Sequence, residues 1–181
     1  MAVLDVVKYP DPRLREPTFE VESVDDSIQE LVRDMTDTMY ALNGAGIAAI
    51  QVGRLERIFL IDGRVGGGDD DSPPVVCINP KVVESGKGLA VAEEGCLSFP
   101  NVFVDVKRPR WAKVEATNLE GETFTIEGEG LLGRALQHEF DHLTGQLLID
   151  MVGMVKKEMI KRKMKRFHSA AESEAEAEAE A

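Results

Sequence analysis

Two histidines and a glutamate lie close together in a helical stretch of the sequence, in the pattern H-E-x-x-H. His138 and His142 are four residues apart, so on a helix their imidazoles lie one above the other and can reach one metal ion. Glu139 flanks the same face, where a carboxylate can take a proton from water that the metal activates. The alternative is a histidine pair that only satisfies hydrogen bonds on a buried helix, but the glutamate between them would be costly to bury.

A catalytic metal centre of this type needs a third protein ligand and one open position. Downstream, Leu148 stands where a longer zinc-protease pattern would place a histidine, and His168 reads as a solvated residue at a helix end. Upstream, Cys96 follows two carboxylates in a turn between glycine and proline, and a thiolate with two imidazoles suits Fe(II), Zn, Ni or Co. We therefore expect Cys96 to be the third ligand, and Cys77, inside an apolar strand, to be a buried hydrophobe.

Residues 44–51, with the sequence GAGIAAIQ, are rich in small side chains. Such residues let the backbone approach a substrate chain closely, and the amide of Gln51 can donate an N–H to a developing oxyanion. Taken alone, the segment fits equally well a glycine-rich helix end that is followed by buried turn residues.

The elements that would position these residues indicate a single α+β domain. Hydrophobic spacing and turn signals predict helices over 26–43, 130–144 and 152–168, and strands over 57–62, 75–79, 82–84, 111–118 and 123–127, the last two as a hairpin. Because helices come early and late with strands between them, we expect the metal-binding helix to be central, packed among mixed or antiparallel strands, with a further helix at the C-terminus. Residues 63–74, rich in glycine, aspartate and proline, are predicted to form a mobile surface loop.

The composition of the chain further limits its domain organisation, its cellular compartment and its partners. The 181 residues are 43% apolar, enough for one core, and two cysteines exclude a disulfide framework and favour a reducing compartment. Apolar runs fall well short of the ~20 residues of a membrane span, and the N-terminus lacks signal-peptide features, so a cytoplasmic protein is predicted. The formal net charge of −12 argues against DNA as a partner. We divide the chain into a catalytic domain over 1–168 and an acidic, low-complexity tail over 169–181 that is expected to be disordered.

Taken together, the three segments resemble the signature of the peptide deformylase family. GAGIAAIQ at 44–51, EGCLS at 94–98 and QHEFDHLTG at 137–145 follow the order of the family patterns GxGxAAxQ, EGCLS and QHExDHLxG. The resemblance extends to the YPDPRLR start and the INP before the second segment, and so covers residues 5–168.

The resemblance implies a hydrolase that removes the formyl group from formyl-methionine at the start of nascent polypeptides and releases formate. It implies one metal ion, natively Fe(II), with Zn, Ni or Co able to take its place, on the ligands Cys96, His138 and His142. Glu139 would exchange protons with water and with the leaving amine, while the Gln51 side chain and the Leu97 backbone N–H would stabilise the oxyanion.

Substrate contacts are also implied by the resemblance. The main chain of Ala45, Gly46 and Gly95 would pair with the substrate backbone like an added strand. The pocket for methionine, carried over by position, is expected near Ala92, Glu94, Leu131, Arg134 and Ala135. Asp141 would fix a ligand or a nearby arginine, unless it is an ordinary surface carboxylate. The basic last helix could contact ribosomal RNA as in some bacterial deformylases, although such faces are often only solvated.

Other classes remain open at this point. An H-E-x-x-H protease with another third ligand would keep its metal and activity after Cys96→Ser and would cut internal peptide bonds. A non-enzymatic metal-binding module would show no catalytic defect in Glu139→Ala. Neither class explains the segments 44–51 and 94–98 together. A closer rival is a deformylase-like hydrolase that has shifted to another small acylated substrate.

Overall fold

The fold is α+β, as the sequence predicts. A computed structural model describes residues 2–86 and 88–179. The elements in this part of the chain are α1 Asp26–Ala41, β1 Gly46–Ala48, β2 Ile58–Ile61, β3 Val75–Ser85, β4 Leu89–Cys96, β5 Phe99–Pro109, β6 Trp111–Thr117, β7 Thr123–Glu129, α2 Gly130–Leu143 and α3 Met154–Ala179. Short 3-10 helices cover Pro12–Arg15, Ala49–Val52 and Leu148–Met151. None of the helices in these described ranges combines the length and apolar character of a membrane crossing.

The strands form two antiparallel sheets. One has five strands in the order β1-β2-β3-β6-β7, and the other is the β4-β5 pair. All four residues of β2 are buried, because the strand lies inside the sheet with both faces covered. In β5, by contrast, Val102, Val104 and Val106 are buried and alternate with exposed residues, so one face alone packs against the core.

Helix α2 packs against the five-stranded sheet and carries the H-E-x-x-H motif. Its buried residues Leu136 and Leu143 join a cluster with Phe59 and Ile61 of β2. The start of the helix lies very close to β7, since a Cβ at Gly133 would stand 2.4 Å from the Gly128 carbonyl oxygen. Glycine at this position therefore allows the helix that carries the motif to pack closely against β7.

The predicted helices α1 and α2 and the hairpin of β6 and β7 are confirmed, whereas the middle of the chain differs from the prediction. Residues 75–79 and 82–84 belong to one strand, β3, with register shifts where two strands were predicted. The β4-β5 hairpin was missed altogether. The sequence of β4, LAVAEEGC, is poor in β-branched and aromatic residues and shows no alternation of burial, so it carries a weak strand signal.

Helix α3 also differs from the prediction, because it continues to Ala179 where the sequence predicts an end at residue 168. Alanine and glutamate are strong helix formers, which explains helical backbone over 169–179. Ile160 and Met164 are buried in the core cluster of β5, and Phe167 packs against the same cluster. Residues 180 and 181 of the proposed tail lie outside the described residues. The division into a domain over 1–168 and a tail stays a prediction.

Residues 63–74 form a chain of turns after β2. The backbone N–H of Gly66 donates to the Asp62 carbonyl at 2.8 Å, and that of Gly68 donates to the Gly63 carbonyl at 2.9 Å. The Asp62 carboxylate also binds the Arg64 guanidinium. These local bonds agree with the predicted surface loop, and its mobility stays a prediction.

Candidate metal centre

One thiol and two imidazoles converge between β4 and α2. The ligand atoms of Cys96, His138 and His142 all lie within 4.8 Å of one another, and together they form a metal-binding group. Sγ of Cys96 stands 3.4 Å from Nε2 of His142, and the two imidazole rings meet edge to face at 5.1 Å. Cys96 is the last residue of β4, where the register with β5 shifts, so a bulge turns this side chain towards α2. The structure thus brings all three predicted ligands together.

The chemistry of these donors fits a divalent metal ion. Nδ1 of His138 lies 3.1 Å from Oε2 of Glu94, a geometry that assigns the ring proton to Nδ1 and leaves Nε2 free to coordinate. His142 turns its own Nε2 towards the sulfur of Cys96. Cys96, His138 and His142 would give a bound ion three protein ligands and would leave a position for solvent or substrate.

Glu139 stands beside this group. Its side chain is buried, and Oε2 has no hydrogen-bond partner among the described residues. A Cβ at Gly46 would lie 2.7 Å from Oε1 of Glu139, so the absence of a side chain there lets β1 approach the carboxylate. Burial raises the pKa of Glu139 to about 7, although the charges of His138 and Arg108 act in the opposite direction. A carboxylate that titrates near neutral pH is suited to accept and return a proton.

A buried network of charged side chains binds Nδ1 of His138 through Glu94. The Arg108 guanidinium donates from Nε to Oε1 of Glu94 at 2.7 Å and from Nη2 to Oε2 at 3.0 Å. Arg134 adds a bond to the same carboxylate at 2.8 Å, and Asp141 accepts from Nη1 of Arg108 at 2.7 Å. Burial raises the pKa of Glu94, but His138 and Arg108 outweigh it and lower the pKa to about 2. Glu94 is therefore ionised, and Asp141 fixes an arginine, one of the two roles that the sequence left open.

The side chain of Gln51 also approaches the metal-binding group. It belongs to the 3-10 helix Ala49–Val52, and its side chain is buried. Its Oε1 accepts from the Ala48 backbone N–H at 2.9 Å, which turns Nε2 towards Ser98 Oγ at 3.2 Å and Cys96 Sγ at 3.5 Å. The amide N–H groups therefore face the metal-binding group. Leu97 follows Cys96 directly in the turn between β4 and β5.

A cavity of about 520 Å³ opens above these residues. The predicted substrate residues that line it are Ala45, Gly46, Glu94, Gly95, Leu131, Arg134 and Ala135. Ala92 is not among the lining residues of the described structure; it is exposed on β4 opposite Val106. The Arg134 guanidinium is held by Glu94 and by the Ala90 carbonyl at 2.6 Å, which fixes it against β4.

Several residues of the site were missed by the sequence analysis. Lys8 and Phe103 line the cavity, and Arg108 lies behind the metal-binding group. Arg108 continues the inward alternation of Val104 and Val106, so an arginine on a buried strand face was the signal that a buried acid must be near. The prediction that His168 is solvated is wrong: it is half-buried, and its Nε2 lies 2.7 Å from the Tyr9 carbonyl oxygen.

A Cys-His-His group at an open cavity, beside a buried carboxylate whose Oε2 has no hydrogen-bond partner in the described part of the chain, defines a metal-dependent hydrolase. The family model described as polypeptide deformylase matches residues 3–158. Peptide deformylase 1 of Burkholderia multivorans is 43% identical over 170 residues, which are 94% of this chain and 92% of the relative. The peptide deformylase of Rhizobium meliloti is 42% identical over 173 residues, 96% of this chain and 97% of the relative.

Solved structures agree with these relatives. The crystal structure of a peptide deformylase from Legionella pneumophila matches with a TM-score of 0.87 at 40% identity and covers 94% of this chain and 98% of that one. A peptide deformylase from Ehrlichia chaffeensis, in complex with actinonin, matches with a TM-score of 0.84 at 38% identity, over 92% and 98% of the two chains. The chain belongs to the peptide deformylase family, and it is a metal-dependent hydrolase.

Proposed function

We propose that this chain hydrolyses the formamide at the N-terminus of formyl-methionine in nascent polypeptides, releasing formate and a free amine. The observation that carries the proposal is the position of Glu139. Its carboxylate is buried beside the Cys96, His138 and His142 group, and its Oε2 is unpartnered among the described residues. A buried acid with an open lone pair next to a metal-binding group is equipped to move protons there.

Cys96, His138 and His142 would hold one divalent ion, and we propose Fe(II) in the cell, with Zn, Ni or Co able to replace it. When bound, such an ion supplies a Lewis acid that acidifies water and polarises the formyl carbonyl. The Glu94 carboxylate, ionised and bonded to His138, would keep that imidazole in the orientation that coordination needs.

Glu139 would remove one proton from the attacking water and deliver it to the methionine nitrogen as the bond between that nitrogen and the formyl carbon breaks. One water is consumed, and the carbonyl carbon leaves as formate. The Nε2 amide of Gln51 and the backbone N–H of Leu97 would donate to the oxygen that carries negative charge during the attack. The Gln51 amide is held before substrate arrives by its bonds to Ala48 and Ser98, which is what makes this kind of stabilisation effective.

The substrate chain would enter as a strand. In the described structure β4 pairs with β5 as a two-stranded sheet, and the main chain of Gly95 on β4 and of Ala45 and Gly46 lines the cavity. A peptide that bonds to these backbone groups is held by its main chain, so the site can bind peptides of many different sequences. Leu131 and Ala135, on the first turns of α2, would receive the methionine side chain together with Glu94 and the Arg134 stem.

Formate release from a formyl-Met peptide by protein loaded anaerobically with Fe(II) tests the proposal. We expect one formate for each free amine formed, and a loss of at least ~10²-fold in kcat for Glu139→Ala. Glu115→Ala, on the exposed face of β6, is the matched control. An acetyl-Met peptide and an internally cleavable peptide should both stay intact; cleavage inside the chain would favour a protease.

The substrate arises on the ribosome, and we therefore place the reaction in the cytoplasm. We also propose that the basic residues of α3 contact ribosomal RNA. These residues are Lys156, Lys157, Lys161, Arg162, Lys163, Lys165 and Arg166. Co-sedimentation with ribosomes should then weaken steeply as salt is raised, because phosphate contacts release counterions. Sedimentation that is independent of salt, or absent at low salt, would contradict the contact.

A further inference from the structure

The N-terminal arm, residues 2–15, binds both segments that carry the proposed oxyanion donors through three consecutive residues. The Val7 backbone N–H donates to the Gln51 carbonyl at 2.7 Å. The Lys8 ammonium donates to the Leu97 carbonyl at 2.9 Å, and the Tyr9 backbone N–H donates to the Ser98 carbonyl at 3.0 Å. We propose that this arm is a brace that fixes the two donors relative to each other, with Lys8 as a positioning residue for the hydrolysis. The inference rests on the proposed function.

The bonds close a ring. The arm joins the backbone of Gln51 to the backbone of Leu97 and Ser98, and the Gln51 side chain returns to Ser98 Oγ at 3.2 Å. The carbonyl that Lys8 holds and the N–H proposed as oxyanion donor belong to the same residue, Leu97. The carbonyl lies in the peptide plane that follows the Leu97 Cα and the N–H in the plane that precedes it, so holding the first plane limits how far the second can tilt. Fixed donors of this kind are what a site for a developing negative charge requires.

The placement of Lys8 argues against an ordinary surface lysine. Its side chain is half-buried and lines the cavity. Burial lowers the pKa of Lys8, although the nearby charges of Cys96 and Asp5 oppose this shift. Placing an ammonium in a cavity wall costs free energy, and the cost is offset by a charge-assisted hydrogen bond to the Leu97 carbonyl. The bond spans 89 positions in the sequence and thus ties the arm to the turn after β4.

The arm is itself held in place by contacts with β5, α3 and the core. The Tyr9 ring stacks on Phe99 with centroids 5.0 Å apart and planes 19° apart. The Tyr9 carbonyl lies 2.7 Å from Nε2 of His168 on α3. Leu14, a few residues further on, is completely buried in the core cluster of β5. A brace needs anchors of its own, and these contacts supply them.

The test compares Lys8→Met, Lys8→Arg and the surface control Lys81→Met, exposed on β3, in the full-length, metal-loaded protein. Lys8→Met should lower kcat for formate release ~10- to 100-fold with KM within about twofold, because the donors act on the transition state. Lys8→Arg keeps a charged donor and should recover most of the loss. A raised KM at unchanged kcat, or parental values for both, would overturn the proposal.

A second measurement does not depend on turnover. Hydrogen–deuterium exchange of the segment 94–99 should be at least ~10-fold faster in Lys8→Met than in the parent and in Lys81→Met. Unchanged exchange would overturn the brace even if activity fell. If the parent itself releases no formate, the proposed function fails while the exchange result still decides whether Lys8 holds this segment. Should Lys8→Met not fold, Lys8→Gln, with a shorter neutral donor, replaces it in both measurements under the same criteria.

Discussion

Oε2 of Glu94 lies 3.1 Å from Nδ1 of His138, and the same carboxylate accepts two bonds from the buried guanidinium of Arg108. This carboxylate therefore connects a predicted metal ligand to a charge that cannot be neutralised by losing a proton. It accounts for two facts together: Glu94 stays ionised although buried, and the imidazole of His138 turns its other nitrogen towards Cys96.

Replacing Glu94 should weaken metal binding without removing a ligand. For Glu94→Gln we expect ~10- to 100-fold lower affinity for Zn, because partners that orient a ligating histidine contribute on this scale. Competition with a chromophoric chelator measures the change. Glu115→Gln, exposed on β6, serves as the control and should bind Zn like the parent. An affinity of Glu94→Gln within twofold of the parent would show that this hydrogen bond does not tune the ligand.

Removing the guanidinium of Arg108 should lower the free energy of unfolding. Arg108→Met leaves the carboxylates of Glu94 and Asp141 close together without their shared partner, and breaking a buried ion pair in this way costs about 3–5 kcal/mol. Urea unfolding monitored by fluorescence gives the value. Arg15→Met removes an exposed pair with Asp150 and should cost less than ~1 kcal/mol. Equal losses in the two variants would contradict a buried network.

Adding one carbon at Gly46 should damage catalysis selectively. Since the new Cβ would lie 2.7 Å from Oε1 of Glu139, either the strand or the carboxylate must move. We expect Gly46→Ala to lose ~10²-fold in kcat, the scale of a misplacement of about 1 Å, and to retain its metal. Steady-state kinetics and metal analysis check both parts. Gly153→Ala, which meets open space, should match the parent; a fully active Gly46→Ala would mean that Glu139 tolerates displacement.

Changing Gln51 to glutamate should remove a donor with little change of shape. In Gln51→Glu a carboxylate replaces the amide N–H groups that face Ser98 and Cys96, and it would repel developing negative charge. We expect a ~10²- to 10³-fold loss in kcat, as for other oxyanion donors. Gln29→Glu on the exposed face of α1 adds the same charge elsewhere. Similar kinetics for the two variants would rule out Gln51 as a donor.

The site residues on α2 could be predicted from the sequence, because their spacing follows the helical repeat. The four-residue spacing of His138 and His142 fixes one face of α2, and the start of that helix at residue 130 was predicted correctly. Cys96 was found by the chemistry of ligand sets, although its segment was interpreted as an irregular turn and is in fact the end of a strand. The bulge that aims the sulfur depends on pairing with β5, which local sequence does not encode strongly.

The parts that depend on contacts between distant segments could not be predicted. In the sequence, Lys8 resembles any exposed lysine, and only the fold brings it to the Leu97 carbonyl. In the same way, His168 resembles a solvated histidine, and only the docking of α3 brings it to Tyr9. Arg108 is the intermediate case. Its inward position follows from strand alternation, but its partners Glu94 and Asp141 come from two other elements. Local pattern thus predicts faces of elements, and tertiary packing decides which faces meet.

X-ray absorption at the zinc edge of the Zn-loaded protein shows which atoms bind the ion. We expect one sulfur at about 2.3 Å and two imidazole nitrogens at about 2.0–2.1 Å, with a light atom completing the shell. Cys96→Ser should lose the sulfur and keep both nitrogens. A parent spectrum without sulfur, or a sulfur that persists in Cys96→Ser, would contradict a centre built from Cys96, His138 and His142.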